Sequence, residues 1–292
     1  MNRADERRVS VLDKVKARRS FGRAADRYDD VAVLQHEIGR RMLERLETMR
    51  IAPRRILDLG CGTGVATGDL LRRYPQAEVF ALDFALPMLQ YARRRGRWLR
   101  RPRCLCADLD RLPLADQSVD LVFANAALQW SGDPLQAFTG IARVLRPGGL
   151  LLFTSFGPDT LSELRAAWAA VDASAHVHAF VDMHDYGDML LHAGLADPVM
   201  DVERMTLTYA DARHLMREIK IVGAGNASVD RARGLLGRRR LDAVCAAYEH
   251  FRDGDGRLPV TYEVVHGHAW APVQRRVGDE TRIGVDVLRG PR

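Results

Sequence analysis

Short apolar runs and amphipathic segments alternate along the first half of the chain. The apolar runs have the length of strands and cover residues 55–59, 78–83, 103–107, 119–124 and 150–155. The segments before and between them carry apolar residues at helical spacing and cover residues 31–49, 65–74, 87–95 and 134–145. Such alternation is typical of a parallel sheet with helices on both faces, so we predict a doubly wound α/β fold.

After residue 155 the pattern favours helices over strands. One helix is predicted to begin near Asp159 or Thr160, either of which is a candidate cap. Further helices are predicted at 185–193, 211–222 and 235–251, and further strands at 205–209 and 261–270. The complete pattern predicts one mostly parallel, seven-stranded sheet with helical insertions after the fifth strand.

The run from Ile56 to Gly64 is a buried strand that continues directly into a glycine-rich turn. Glycine at positions 60, 62 and 64 leaves room for a ligand against the backbone, because these residues have no Cβ. Asp83 ends the next strand, where a carboxylate can accept hydrogen bonds from both ribose hydroxyls. The dinucleotide fingerprint is not matched, because Val65 occupies its sixth position, and no Gly-Lys-Ser/Thr follows for a phosphate loop. These residues predict a nucleoside site of another class.

Other polar residues also follow strand ends and should share one crevice, because ligands of open α/β sheets bind beyond the carboxyl ends of the strands. Asp108 either accepts a hydrogen bond from an adenine amino group or forms a turn. Asp83 either binds the ribose or caps a helix. The loop from Asn125 to Trp130 faces the ligand, although Trp130 is also a candidate core residue. Lys220 lies on an apolar helix segment, where it meets an anionic substrate or extends to the surface.

The chain is basic, with 44 lysines and arginines against 38 acidic residues and a net charge of +6. Arginines cluster at 93–103 and at 238–240, which indicates either an acidic protein partner or a solvated helix face. Nucleic acid is not expected as a partner, because aromatic residues make up only 7% of the chain and do not interleave with the basic runs.

The sequence also predicts where the protein works and which groups it lacks. No apolar run reaches the length of about 18 residues that a membrane span needs, and residues 1–20 carry no secretory signal. Four cysteines without a Cys-x-x-Cys pair indicate free thiols in a reduced cytoplasm. The irregular spacing of His176, His178 and His184 gives no metal site. We therefore expect a cytoplasmic protein that binds neither membrane nor metal.

Several motifs carry a resemblance to known families. The pattern Asp-x-Gly-x-Gly-x-Gly at residues 58–64 resembles motif I of class I S-adenosylmethionine (SAM) methyltransferases. More specific segments resemble the malonyl-[acyl-carrier protein] O-methyltransferases of biotin synthesis. These segments are Ser20–Asp29 with Leu34 and Gln35, Asn125–Trp130, Phe156–Arg165, Val181–Asp185, Lys220–Ala224 and Thr261–Gly267. One departure is Ala179, at a position where that family often has an arginine.

The resemblance implies a Rossmann-like methyltransferase that uses SAM to methylate the free carboxyl group of malonyl-acyl carrier protein, or of malonyl-CoA. The methyl ester would begin pimeloyl and biotin synthesis. A carboxylic acid with a pKa of roughly 4 is already ionised at neutral pH, so the reaction needs no general base. Removing water from the carboxylate is unfavourable, so we expect a cation beside it, for which Lys220 and Arg204 are candidates. Acyl carrier proteins are acidic and would bind the arginine clusters.

The resemblance also assigns residues and regions. The implied cofactor-binding residues are Phe21, Tyr28, Asp58, Gly60, Gly62, Gly64, Asp83, Met88, Asp108, Leu109 and Asn125. The candidate substrate-facing residues are Tyr28, Gln129, Trp130 and Lys220, and residues 20–36 are expected to close over the crevice. The implied regions are an N-terminal extension with a lid helix at 1–49, a SAM-binding core at 50–156, insertions facing the substrate and carrier protein plus the last strands at 157–272, and a loosely ordered tail at 273–292.

Three other functions remain open from the sequence. A SAM-dependent methyltransferase acting on a small free carboxylic acid would use the same chemistry without a protein partner. Some relatives with similar insertions resemble mitochondrial complex I assembly factors that hydroxylate an arginine, but they tend to carry His-Trp where this chain has Gln129-Trp130. A SAM-binding scaffold without catalysis is the third.

Overall fold

A seven-stranded sheet forms the centre of the protein, whose structure is a computed structural model describing residues 12–96, 100–229 and 237–273. The strands are β1 (Arg55–Leu59), β2 (Glu78–Asp83), β3 (Arg103–Cys106), β4 (Val119–Ala124), β5 (Leu145–Phe156), β6 (Ala196–Tyr209) and β7 (Leu258–Trp270). Their order is β3-β2-β1-β4-β5-β7-β6, with β7 antiparallel to β5 and β6 and the other pairs parallel. The predicted doubly wound, mostly parallel sheet is confirmed.

Helices cover both faces of this sheet. They are α1 (Lys14–Ala24), α2 (Tyr28–Val31), α3 (Val33–Arg45), α4 (Val65–Arg73), α5 (Leu86–Ala92), α6 (Pro134–Val144), α7 (Ser162–Ala169), α8 (Met183–His192), α9 (Ala212–Ile221) and α10 (Arg238–Tyr248). Successive residues of a strand point to opposite faces, so Ile56 packs with α3 and α4, whereas Leu57 packs with α6 and α8. The central strands are therefore buried on both faces, which explains why they read as continuous apolar runs.

The insertions after β5 form a separate apolar cluster in which α7, α9 and α10 pack against the ends of β6 and β7. The predicted cap of α7 is wrong, because the helix begins at Ser162 after Leu161, which has a left-handed backbone with φ of 59° and no capping side chain. Hydrogen bonds from Gly157 N to Glu263 O and from Leu161 N to Thr261 O hold this turn against β7 instead. Tertiary contact with a strand about 100 residues away thus sets the helix start.

The largest differences from the predicted elements lie at the edges of the molecule. Strand β6 begins at Ala196 rather than at Met205, and it contains no fully buried residue because it is an edge strand, so it lacks a strong apolar pattern. Helix α1 was not predicted, and α3 ends at Arg45, four residues before the predicted limit. Within the described ranges, no helix is long and apolar enough to cross a membrane. The predicted tail from Gln274 and Arg97 of the basic cluster lie outside the described residues.

Candidate functional site

The glycine-rich loop after β1 adopts a conformation that only glycine accommodates easily. Gly60, Gly62 and Gly64 have φ values of 71°, 53° and 80°. A Cβ on Gly60 would lie 2.4 Å from the Ala127 side chain, and one on Gly64 would lie 2.7 Å from the Ala92 backbone. A Cβ on Gly62 would meet only Tyr28, at 3.9 Å. Packing therefore requires two of the glycines, while Gly62 opens toward the crevice.

Two buried carboxylates flank this loop. Asp83 accepts hydrogen bonds from Gly62 N at 3.0 Å and from Ala85 N at 2.7 Å, so it fixes the loop. It is not the expected helix cap, because the N-cap of α5 is Ala85 and the helix has no side-chain cap hydrogen bond. Asp58 accepts a hydrogen bond from the Thr67 hydroxyl. Burial raises the pKa of Asp83 to about 6 and that of Asp58 to about 7. Both groups are therefore sensitive to a ligand that brings a positive charge or hydrogen-bond donors.

The crevice beyond the strand ends contains two small cavities. The first, of about 60 Å³, is the strand-end cavity, and nine predicted cofactor-binding residues line it: Phe21, Tyr28, Gly60, Gly62, Asp83, Met88, Asp108, Leu109 and Asn125. The second, of about 80 Å³, is the loop cavity, whose wall includes Asp58, Gly60, Gly62 and Asn125. Gly64 lines neither cavity. A bare glycine backbone beside carboxylates fits a nucleoside with a charged side arm.

The N-terminal helices close one side of the crevice. Phe21 of α1 lies 5.0 Å from Trp130 and 6.0 Å from Phe84, measured between ring centroids. Asp29 of α2 accepts a hydrogen bond from the Thr63 hydroxyl at 2.5 Å, which ties the extension to the glycine loop. Tyr28 lines both small cavities. These helices therefore lie beside the crevice, and closure over it by residues 20–36 stays a prediction.

Lys14 anchors helix α1 beside the crevice, although no motif in the sequence singled it out. Lys14 Nζ lies 2.6 Å from Asp108 Oδ1 and also contacts Asp110. Asp108 Oδ1 accepts a further hydrogen bond from Asp110 N at 3.0 Å, so its other oxygen is left for a ligand. No local pattern indicates this pair, because the partners are 94 and 96 residues apart.

A third, larger cavity of about 140 Å³ lies beyond Tyr28 and Trp130, and we call it the central cavity. Its wall is mainly aliphatic and aromatic, with Phe21, Leu34, Phe156, Leu164, Val177, Phe180, Leu207, Ile219, Val222 and Tyr262 among its members. Tyr28 lines all three cavities, and Trp130 lines the strand-end and central cavities. Phe21 and Ala126 also line both the strand-end and central cavities, so they form the junction between these cavities together with Tyr28 and Trp130.

The central cavity differs from the expected substrate site in its charge. Among the described residues, no lysine or arginine lines it. Lys220 is exposed on α9, and Glu218, Ile219 and Val222 line the cavity instead. Of the two places expected for Lys220, the structure gives the surface and not the cavity wall. Arg204 is also exposed and donates to Asp159 at 2.6 Å. Ala179 is exposed and does not line the cavity, so an arginine there would not be positioned by this wall.

Two polar atoms of the central cavity wall lack hydrogen-bond partners among the described residues. Gln129 Nε2 donates to Ala126 O at 2.7 Å, which leaves Gln129 Oε1 unpaired. His178 Nε2 is also unpaired, and burial followed by nearby Arg165 lowers the pKa of His178 to about 4. Buried polar atoms normally have partners, so these two identify positions where a ligand can bind. Sequence analysis selected Gln129 but assigned no role to His178.

The loop that carries Gln129 is held rigidly. Ala126 has a φ of 47°, which is unusual for a residue with a Cβ. Its N–H donates to the Thr154 hydroxyl at 2.9 Å, and the same hydroxyl donates to Asn125 Oδ1 at 2.9 Å. Asn125 Nδ2 in turn donates to Gln35 O. The network fixes the wall shared by the strand-end and central cavities.

The remaining sequence predictions concern metals and surface charge. The described residues contain no group of three or more histidine, cysteine or acidic side chains that could hold a metal ion. Both basic clusters are partly paired. In the 93–103 cluster Arg103 contacts Glu78 at 2.5 Å, and in the 238–240 cluster Arg240 lies 3.6 Å from Asp172.

The comparisons with known proteins agree with this geometry. Residues 57–153 match a family model described as a methyltransferase domain. The chain is 54% identical to a malonyl-[acyl-carrier protein] O-methyltransferase of Halorhodospira halophila, over 94% of this chain and 95% of the relative. It is 51% identical to the protein of the same name from Laribacter hongkongensis, over 90% and 91% of the two chains.

Solved structures support the fold. The YcgJ protein of Bacillus subtilis aligns with a TM-score of 0.58 and 17% identity, over 81% of this chain and 99% of its own. A putative methyltransferase of Bacillus halodurans aligns with a TM-score of 0.57 and 16% identity, over 80% and 98% of the two chains. The methyltransferase domain confirms the expected cofactor, S-adenosylmethionine. On the strength of its close relatives, the chain belongs to the malonyl-[acyl-carrier protein] O-methyltransferase family.

Proposed function

We propose that this protein methylates the free carboxylate of a malonyl thioester, carried by acyl carrier protein, to give the methyl ester. The observation that carries the proposal is the junction at Tyr28 and Trp130. There the crevice lined by the predicted cofactor-binding residues meets a mainly apolar cavity that is large enough for a short acyl group. The relatives named for this reaction support it. The reaction would serve pimeloyl and biotin synthesis in the cytoplasm.

The cofactor would occupy the two small cavities. Asp83 would accept hydrogen bonds from the ribose, and Asp108 would accept one from the adenine amino group, with Met88 and Leu109 packing beside the base. Asp58 in the loop cavity would attract the ammonium group of the methionine arm. When bound, SAM supplies an electrophilic methyl group on a positively charged sulfur.

The apolar wall of the central cavity suits this reaction. The carboxylate has a pKa of roughly 4 and needs no base to become a nucleophile. Because a carboxylate and a sulfonium combine into two neutral products, charge disappears as the new bond forms. In the described part of the chain, no lysine or arginine lines this wall. The wall therefore does not stabilise the separate carboxylate and sulfonium ions more than the transition state, in which their charges decrease. This argument replaces the cation expected from the sequence.

The protein must also align its two substrates. Tyr28 contacts the space on both sides of the junction, and burial with the nearby Asp83 and Asp29 carboxylates raises the pKa of Tyr28, so its phenol stays protonated. Phe21 and Trp130 pack edge to face beside it and exclude water from the junction. Positioning and dehydration are thus the main contributions expected from this chain.

An arginine-rich surface beside the crevice would bind the acidic carrier protein. Gly22 of α1 lies against Pro87 of α5, so the two helices share one surface. Its exposed arginines are Arg18, Arg19, Arg23, Arg93 and Arg94. The described residues give none of these a carboxylate partner within salt-bridge distance. Among the described residues, the first part of the 93–103 cluster therefore contributes to this surface, and α1 adds arginines that the sequence clusters did not include.

The test is a methyl-transfer assay with labelled SAM, malonyl-acyl carrier protein, malonyl-CoA and a panel of free diacids, with mass spectrometry of the products. We expect the malonyl methyl ester on the carrier protein to form fastest. Methylation of free acids alone would contradict the proposed substrate, and SAM binding without any transfer would contradict the proposed enzyme activity.

The carrier surface has its own test. Replacing Arg19 and Arg23 by alanine should raise KM for malonyl-acyl carrier protein by about 3-fold to 10-fold, because each exposed charge contributes modestly to encounter. KM for malonyl-pantetheine, which has neither the acidic carrier nor the phosphates of coenzyme A, should stay unchanged. Both KM values should also stay unchanged in the control variant Arg72→Ala on α4, whose side chain is 76% exposed. An equal rise for both thioesters would exclude this surface as the carrier site.

A further inference from the structure

His178 is held at the wall of the central cavity by aromatic neighbours. It lies in the connection between α7 and α8 and is 6% exposed. Its ring centroid is 4.5 Å from that of Phe180 and 5.4 Å from that of Trp130. Because Trp130 also lines the strand-end cavity, His178 lies next to the residue that separates cofactor from substrate.

The polar edge of this ring has no partner within the protein. His178 Nε2 is buried and makes no hydrogen bond to any described residue. Leaving a buried polar atom unpaired is unfavourable, and the atom belongs to a side chain that lines a cavity. A ligand in the central cavity can supply the missing partner.

We infer that His178 Nε2 donates a hydrogen bond to the carboxylate of the acyl substrate and so selects acyl groups that end in a carboxylate. The inference rests on the proposed function, which places such a carboxylate in the central cavity. Gln129 is less suited to this role, because one of its two amide N–H groups is donated to Ala126 O and its unpaired oxygen would repel an anion.

A neutral donor fits the chemistry better than a cation. The lowered pKa of His178 keeps the imidazole uncharged at neutral pH, so Nε2 can carry a proton without a full positive charge. A neutral N–H orients the carboxylate and replaces part of its water shell. It also leaves the anion more nucleophilic than an arginine or lysine contact would.

The test compares variants that remove or keep the donor. His178→Phe and His178→Leu remove it, whereas His178→Gln retains an amide N–H at about the same reach. The matched control is His266→Phe, because His266 on β7 is 2% exposed and has a pKa lowered to about 4, yet does not line the cavity. Its ring nitrogens make no hydrogen bond to the described residues, and Nε2 lies 3.6 Å from Glu203 Oε2.

Binding is measured by calorimetry with malonyl-CoA and acetyl-CoA in the presence of S-adenosylhomocysteine, which prevents turnover. Acetyl-CoA is the matched ligand because it lacks the carboxylate. We expect the wild type to prefer malonyl-CoA and His178→Phe to lose about 10-fold to 100-fold of that preference, the range for a hydrogen bond to a charged group. His178→Gln should recover part of it, and His266→Phe should keep it all.

Kinetics separates this role from others. The two donor-free variants should raise KM for the malonyl thioester while the affinity for SAM stays unchanged, and kcat measured at saturating SAM should remain flat with pH between about 6 and 8. An unchanged malonyl preference in both donor-free variants would overturn the inference while leaving the proposed function intact. A wild type that neither binds nor methylates malonyl thioesters would overturn both.

Discussion

The buried carboxylate of Asp58 should make cofactor binding depend on pH near neutrality. Asp58 lines the loop cavity, where the proposed placement puts the ammonium group of the cofactor's methionine arm. Burial raises the pKa of Asp58 to about 7, so the free protein takes up a proton there as the pH falls through that value. Only the ionised carboxylate attracts an ammonium group, and affinity should therefore decrease as the pH decreases.

The size of the effect follows from the ionised fraction. With a pKa of about 7, Asp58 is about 90% ionised at pH 8 and about 10% ionised at pH 6. Affinity should thus be about ninefold weaker at pH 6, which corresponds to about 1.3 kcal/mol. At pH 6 binding should release close to one proton, because the bound ammonium group holds the carboxylate in its ionised form.

Calorimetry with S-adenosylhomocysteine, which keeps the ammonium group, measures both quantities when repeated in buffers of different ionisation enthalpy. Asp58→Asn should bind weakly at every pH and release almost no proton between pH 6 and 8. Thr67→Val should move the midpoint of the wild-type curve upward, because the Thr67 hydroxyl hydrogen bond lowers the pKa of Asp58. Asp83→Asn should keep most of the slope. A flat wild-type curve, or a slope that survives in Asp58→Asn, would refute the reasoning.

Three further predictions concern the loop and the lid. Gly64→Ala should lower the free energy of unfolding by at least about 1 kcal/mol and weaken SAM binding, because Gly64 has a φ of 80° and approaches α5 closely. The control Gly225→Ala, where a Cβ would meet nothing within 4 Å, should change the free energy of unfolding by less than about 1 kcal/mol. Denaturant titrations measure both. Tyr28→Ala should reduce kcat by about 100-fold or more by opening the junction, and Tyr28→Phe by less than about tenfold; equal loss in both would assign the effect to the hydroxyl. Lys14→Met should lower the free energy of unfolding by about 1–3 kcal/mol and weaken SAM binding. The reason is that Asp110, whose side chain is 10% exposed, loses its cation. An unchanged SAM affinity would show that α1 does not support the crevice.

Local sequence pattern determined the sheet and the cofactor side of the site. Strands β1, β2, β4 and β5 are largely buried on both faces, so their apolar runs show in the sequence regardless of distant neighbours. The positive φ values of Gly60, Gly62 and Gly64 are a property of three neighbouring residues. Asp83 and Asp108 could be placed because parallel strands end at the same edge. The family motifs then indicated the chemistry, although the contacts of these residues with SAM stay a prediction.

Only the tertiary structure decided how the substrate side is built. Lys14 meets Asp108 across 94 residues, and no local pattern encodes such a contact. An amphipathic helix shows which residues are apolar but not which face meets a cavity, so Lys220 was expected inside while Glu218 lines the wall. His178 carried no signal, because a histidine between two helices acquires a role only when packing brings its side chain to a cavity wall and leaves the buried Nε2 without a partner. The sequence determined what binds at the strand ends, whereas long-range packing determined the shape, charge and donors of the space beside them.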